Sequence, residues 1–286
     1  RLYADNEIGQ PQRRCRSDGH HRVDALVGRT RSLMRLALIV EYDGTAYGGY
    51  QYQNNAPSIQ GELEKAITKL TRESTRVSGA GRTDAGVHAI GQVVAFDTEA
   101  EYPPETFVKA LNHYLPDDIA VQEAYKVDPD FDPRRMALSR LYIYRMYTGA
   151  TRSPLIRRTS YRVGAGLKLN RIRMATRHLV GVHDFAGFAG SLESPDASTV
   201  REIFEARISS EEDEIAIEIE GSAFLPHQVR RMAGALVDVG FGRLSPSEVL
   251  AMVDRRPGAA VARSLPPQGL CLLRVKYANF PPKVGA

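Results

Sequence analysis

Cysteine is nearly absent and tryptophan is missing altogether from the 286 residues. Cys15 lies in a polar N-terminal run and Cys271 in an apolar, strand-like one. That pair excludes a disulfide framework, a cysteine-rich zinc centre and an iron–sulfur cluster, and it predicts a reducing cytoplasm. Long hydrophobic runs are missing too. None approaches the ~18–20 apolar residues of a membrane helix, so no membrane partner is expected. The polar, arginine-rich N-terminus has no apolar core of a secretory signal. What remains is ordinary globular material, 43% hydrophobic and 25% charged, in a length that suits two domains better than one.

Charge is nearly balanced, with 38 basic against 34 acidic residues and a net +4. Much of the excess falls in residues 1–33, which hold seven arginines against Asp5, Glu7, Asp18 and Asp24. The total is therefore weak evidence for a polyanionic partner. Distribution is stronger evidence. From Arg134 to Arg177 there is no acid, twelve cations, and Tyr142, Tyr144, Tyr147 and Tyr161 among them. Acids gather elsewhere, at 97–105 and 202–220. Basic and aromatic residues together suit phosphate contact and base stacking. A solvated basic face has the same composition.

Residues 1–33 have no hydrophobic period and read as a disordered or non-native extension. The chain begins at Arg1, and Met34, directly before the first strand pattern, reads as a natural start. Residues 36–42 are strand-like. Ser58 is placed to cap a helix with Ile59, Leu63, Ala66, Ile67 and Leu70 on one face. Strand patterns follow at 92–97, 119–127 and 139–147, with a helix over 107–114. A loop over 153–166 suggests a boundary, so that 34–150 and 151–286 are two halves. The second half repeats the flavour of the first, with helices at 170–180, 226–240 and 245–252 and strands at 200–209, 215–221 and 270–277. Its Ile215, Ile217 and Ile219 alternate as on a half-buried strand. The class predicted is α+β, with strands meandering in antiparallel sheet.

The window Gly79-Ala80-Gly81-Arg82-Thr83-Asp84-Ala85-Gly86-Val87-His88 carries the most chemistry. Its glycines permit unusual backbone angles and close approach of a large ligand. Arg82, two residues from Asp84, favours the ionised carboxylate, and an ionised aspartate in a tight loop is a candidate nucleophile. A plain turn with a surface ion pair fits the spacing equally well. The loop is neither a Walker nor a Rossmann phosphate cradle. His88 and the pair His183-Asp184 lack further ligands around them, so a metal centre is not expected. Tyr142, Tyr144 and Met146 share one strand face, as core packing or as an aromatic platform for a base. Arg230 and Arg231 lie inside an otherwise apolar helix. Either they form an exposed pair, or one reaches a carboxylate or phosphate.

With these residues on the page, the chain resembles the TruA-type tRNA pseudouridine synthases. The window 79–88 is similar to that family's signature, and other segments follow in family order: Glu41-Tyr42-Asp43-Gly44-Thr45, Gly91 to Phe96, Asn112 to Ile119, Phe131 to Tyr144, His183-Asp184-Phe185, Ala223-Phe224-Leu225 and Val229 to Gly234. The likeness runs from about Leu36 to about Tyr277. It implies two similar α/β halves around antiparallel sheet with a central basic RNA-binding cleft. It implies that Asp84 is the catalytic carboxylate, that Tyr142 stacks on the target uracil, that Arg230 pairs with Asp84, and that Arg82 helps extrude the base. It further implies isomerisation of uridine to pseudouridine at positions 38, 39 and 40 of the tRNA anticodon stem-loop, by a homodimer, with no metal and no organic cofactor. Three departures stand out. Tyr50 replaces the family's usual tryptophan, Leu141 replaces a basic residue before Tyr142, and Pro226 is unusual before the Arg230 helix.

Two other classes are weighed against the isomerase. A non-catalytic RNA binder or tRNA-folding chaperone has no need of a buried carboxylate. A hydrolase of sugar linkages needs a second acid ~5–10 Å from Asp84, and no motif supplies one. Whether Asp84 acts as nucleophile or base is left open by the sequence.

Overall fold

A computed structural model of the chain describes residues 33–192, 194, 196–254 and 262–282. The expected extension at 1–33 falls almost wholly outside them. The described strands are β1 (Met34–Tyr42), β2 (Ser78–Gly79), β3 (His88–Thr98), β4 (Ile119–Lys126), β5 (Ser139–Tyr147), β6 (Tyr161–Arg162), β7 (Gly181–Asp184), β8 (Val200–Glu211), β9 (Glu214–Gly221) and β10 (Leu270–Lys276). The helices are α1 (Ile59–Thr71), α2 (Pro104–Tyr114), α3 (Leu169–Thr176), α4 (Gln228–Gly240) and α5 (Pro246–Val253).

Local chemistry sets the helix ends. The Ser58 hydroxyl accepts from the Gly61 N–H, and α1 stops where Arg72 turns left-handed at φ 65°. Such caps satisfy backbone groups that the helix itself leaves unpaired. Pro104 opens α2, where its missing N–H costs nothing. Ser245 and Glu248 form a reciprocal capping box on α5. Each helix buries the face its period predicts: Ile59, Leu63, Ala66 and Ile67 on α1, and Val229, Met232, Ala233, Leu236 and Val237 on α4. The predicted 170–180 helix is shorter, ending at Thr176 in a turn, after which Gly181 at φ 114° leads the chain into β7.

The strands join one sheet in the order β4-β1-β3-β10-β5-β9-β8-β7, with β2 on β3 and β6 on β5. The α+β class and the largely antiparallel sheet are as predicted. The simple meander is not. β10, from the C-terminal end of the chain, inserts between β3 and β5, parallel to β3 and antiparallel to β5. It is buried at Leu270, Cys271, Leu272 and Val275, so a central strand with apolar side chains on both faces is its only comfortable place. This insertion stitches the N-terminal strands to β5, β9 and β8. Across the seam the register runs Ala89, Leu272, Tyr142, Ile219. The start of β3, where the glycine-rich loop ends, thus lies two strands, or ~10 Å, from Tyr142.

The seam is tight. A Cβ on Gly91 would lie 2.4 Å from the Leu273 carbonyl oxygen, beside the irregularity in β10 between Leu272 and Arg274. Gly91→Ala must push two backbones apart and is expected to destabilise the fold by ~1–3 kcal/mol. Urea denaturation should show a lower midpoint at unchanged slope; an unchanged midpoint would mean that the seam yields freely.

Candidate active site

The loop from Gly79 to His88 is held along its length by hydrogen bonds that the fold supplies. The Ala80 N–H donates to the Val93 carbonyl at 2.8 Å, and the Tyr50 N–H donates to the Thr83 carbonyl at 3.0 Å. Gln92, fully buried on β3, donates from Nε2 to the Gly81 carbonyl at 2.8 Å. The Thr83 and Tyr42 hydroxyls meet at 2.9 Å in a buried contact. At the far end the Val87 N–H closes a turn on the Asp84 carbonyl at 3.1 Å, with Gly86 at φ 76°.

Arg140 completes the scaffold from β5. Its buried guanidinium donates to the carbonyls of Ala80 (2.9 Å), Arg134 (2.6 Å), Ala137 (3.2 Å) and Ser222 (2.7 Å). It ties the loop to β9's end and to the turn before β5. Burial pulls its pKa below the ordinary arginine value.

The glycines do more than admit a ligand. Gly79 makes room for the Tyr50 ring, since a Cβ there would sit 2.5 Å from the phenol carbon. The tyrosine that replaces the family's tryptophan is therefore buried against the loop. Gly81 faces the Tyr142 hydroxyl, 3.8 Å from where its Cβ would be.

Asp84 projects toward the second half of the chain. Its Oδ2 accepts from Arg230 Nη1 at 3.0 Å and lies 3.7 Å from His227 Nε2. Both side chains of the ion pair are largely enclosed, 25% exposed for Asp84 and 14% for Arg230. Of the two readings of Arg230, the one that reaches a carboxylate is what the structure places here. Arg230 is itself aimed: its Nε donates to the Leu265 carbonyl at 2.8 Å, and the Leu265 N–H returns to the Arg230 carbonyl at 3.2 Å. At the start of α4, Pro226 precedes His227 in a left-handed conformation (φ 60°), and the Gln228 side chain accepts from the Leu225 N–H at 2.7 Å. That turn carries His227 to the carboxylate.

A cavity of about 420 Å³ opens over Asp84. Its walls include Arg82, Thr83, Tyr142, Phe224, Leu225 and Val229. Tyr142 is buried, with its ring edge-on to Phe224 at a centroid separation of 5.2 Å. Tyr142 is thus packed in the core and also forms part of the cavity wall. Tyr144 points elsewhere, its hydroxyl donating to the Pro266 carbonyl at 2.7 Å. Asp84, Arg82, Tyr142 and Arg230, four residues from three separated segments, are thus brought together. Among the described residues lining the cavity, Asp84 is the sole carboxylate, so the second acid that a hydrolase requires is not in its walls. No group of three His, Cys, Asp or Glu side chains suited to a metal occurs among the described residues.

Sequence reasoning missed Gln92, the caging role of Arg140, and His227. None has a periodic or compositional signal of its own. Gln92 sits in a strand among apolar residues, and a lone buried amide there was the available clue.

The α+β sheet thus presents a loop-borne, arginine-held carboxylate to an aromatic-walled cavity. Residues 38–134 and 175–278 match the family model described as tRNA pseudouridine synthase. The tRNA pseudouridine synthase A of Myxococcus xanthus is 44% identical over 252 residues, covering 87% of this chain and 94% of its own. That of Geobacter sulfurreducens is 43% identical over 242 residues (85% and 99%), and that of Geotalea daltonii 40% identical over 245 residues (86% and 100%). A chain from a crystal structure of a Cbf5-Nop10-Gar1 complex superposes with a TM-score of 0.32 at 10% identity, over 84% of this chain and 57% of its own. The chain belongs to the tRNA pseudouridine synthase family and is an isomerase.

The site floor is rich in buried phenols. Burial pushes the Tyr42 hydroxyl up to about 12, against the lowering effect of its bonds to Thr83 and Gln92, and burial likewise raises Tyr142. An unfolded tyrosine ionises near pH ~10. Between the two values the unfolded chain has lost protons that the folded chain keeps, so stability falls as pH rises through ~10 and above. An alkaline titration should show the last tyrosines ionising at 295 nm together with loss of far-ultraviolet dichroism. Complete ionisation near pH 10 with the dichroism intact would contradict this burial.

Proposed function

We propose that this protein isomerises uridine to pseudouridine at positions 38, 39 and 40 of the tRNA anticodon stem-loop, with Asp84 as its catalytic carboxylate. The observation that carries the reading is the Asp84–Arg230 pair at 3.0 Å beneath a cavity walled by Tyr142. Isomerisation breaks the N1–C1′ bond, turns the base, and joins C5 to C1′. N1 gains a proton and C5 releases one, so atoms balance with no redox partner, metal or organic cofactor. One carboxylate serves, as nucleophile or as base toward the sugar, and Arg230 holds it in place at 3.0 Å.

Tyr142 packs on the target uracil and, with Phe224, keeps water from the cleaved intermediate. Arg82, on the same loop, helps draw the base from its helix, which an enzyme acting on a paired nucleotide must achieve. In this reading residues 34–150 carry the catalytic loop and 151–286 complete the cleft. The enzyme works as a homodimer, each tRNA touching both subunits, in the cytoplasm where its substrate is. The acid-free run from Arg134 to Arg177 supplies the phosphate-facing charge.

The test is tritium release from a tRNA transcript labelled at uridine C5. Wild type should release tritium and Asp84→Asn should fall to background. Arg230→Lys keeps the charge but loses the geometry set through Leu265, and a ~1 Å misplacement should cost kcat about 10²-fold. Wild-type rates from Asp84→Asn would remove Asp84 from the chemistry. No release by wild type, with tight tRNA binding retained, would favour the non-catalytic binder.

A further inference from the structure

Charge around the cavity does not balance. The described residues lining it include Arg82, Arg134, Arg140 and Arg201 against the single carboxylate of Asp84. Asp84 is taken by Arg230. Arg140 is committed to four carbonyls. Arg82 has an interaction of its own and does not enter the count. That leaves Arg134 and Arg201.

Arg201 stands on β8, opposite His183 of β7. It is half-buried, and its Nη1 donates to the carbonyls of Ser198 (2.9 Å) and Val200 (2.6 Å). These bonds fix the plane of the guanidinium. Its Nε is buried without a partner, and no hydrogen bond is made through Nη2 among the described residues. Arg134 is exposed at the cavity's edge. The nearby Asp132 Oδ1 accepts from the Arg134 and Arg135 backbone N–H groups, and its ion pair is with the Arg135 side chain. Burial lowers the pKa of Arg201 and the charge of Arg134 lowers it further, so the two cations are near enough to repel. Two guanidiniums facing one cavity without a carboxylate are unfavourable by themselves, and a bound anion reverses the sign. Guanidinium donors fit phosphate oxygens, and no described residue competes for Arg201 Nη2.

We propose that Arg201 and Arg134 form a phosphate subsite at the cavity rim, which grips a backbone phosphate flanking the extruded uridine. The proposal rests on the tRNA reading given above. It makes Arg201, whose guanidinium is held by two carbonyls, a substrate-positioning residue, while the exposed Arg134 screens the phosphate.

The experiment uses an anticodon stem-loop RNA and the full chain, with binding and tritium release measured separately. Each phosphate flanking the target uridine is replaced in turn by an uncharged methylphosphonate. On unmodified RNA, Arg201→Ala should weaken binding about tenfold and reduce the salt slope of log Kd by about one. Arg201→Lys should recover part of the affinity, and Arg134→Ala should show a smaller loss of the same kind. On the RNA lacking the matching phosphate charge, Arg201→Ala should cost nothing more. Equal losses on every RNA, or none on the natural one, would overturn the subsite. If Arg201→Ala fails to fold, Arg201→Lys and Arg134→Ala carry the same comparison. The subsite fails alone if wild type releases tritium while the variants bind as wild type does. The tRNA isomerase reading fails instead if wild type releases no tritium, whatever the affinities.

Discussion

A carboxylate enclosed in a cavity is costly to bury unless a cation stands beside it. The Asp84–Arg230 pair meets that constraint, and much of the architecture exists to make the meeting happen. Asp84 comes from a loop before β3 and Arg230 from a helix some 146 residues later. Neither could be held by its own neighbourhood. The pair therefore depends on the seam, where β10 lies between β3 and β5 and fixes the two parts of the sheet in one register. A single strand inserted out of sequence order turns two local structures into one site.

The loop itself is restrained by carbonyls. Gln92 holds Gly81, Arg140 holds Ala80, and the Tyr50 N–H holds Thr83. Buried carbonyls left alone cost ~1–3 kcal/mol each. The donors therefore stabilise the fold while they pre-set the loop. In the proposed mechanism a carboxylate preorganised in this way needs no reorganisation when charge develops. It also explains why three aromatic residues crowd the loop from below. Tyr42, Tyr50 and Tyr142 are all buried, and their rings leave the loop little room to relax.

Much of this was legible in the sequence, for reasons that differ by element. The faces of α1 and α4 follow from the 3.6-residue period, and β9 from alternating isoleucines, because burial is a local pattern. The Asp84 loop was legible as a motif. Spacing alone left Asp84 in balance with an ordinary turn, and Arg230 in balance with a surface pair; the fold shows that Arg230 reaches the Asp84 carboxylate. The place of β10 was not legible, because strand order depends on which edges remain open once the other strands have paired. The same holds for Arg140. In the chain it is one cation among twelve in an acid-free run, and only the fold shows its guanidinium turned inward onto four carbonyls.

The acid-free run is thus not one surface with one purpose. Arg140 is structural. Arg134, six residues earlier, lies exposed at the cavity's edge. Arg162 donates to the carbonyls of Gly149 and Ala150 and orders a loop of its own. Counting cations overstates the donors available to a nucleic acid, because a guanidinium saturated by carbonyls keeps its charge but not its donors. Charge attracts phosphate at a distance, whereas free donors fix where it stops. The residues that can set position in this cleft are consequently fewer than the composition suggests. They must be sought among arginines with an unengaged edge, and Arg201, which lies outside the basic run, is one that composition would never have singled out.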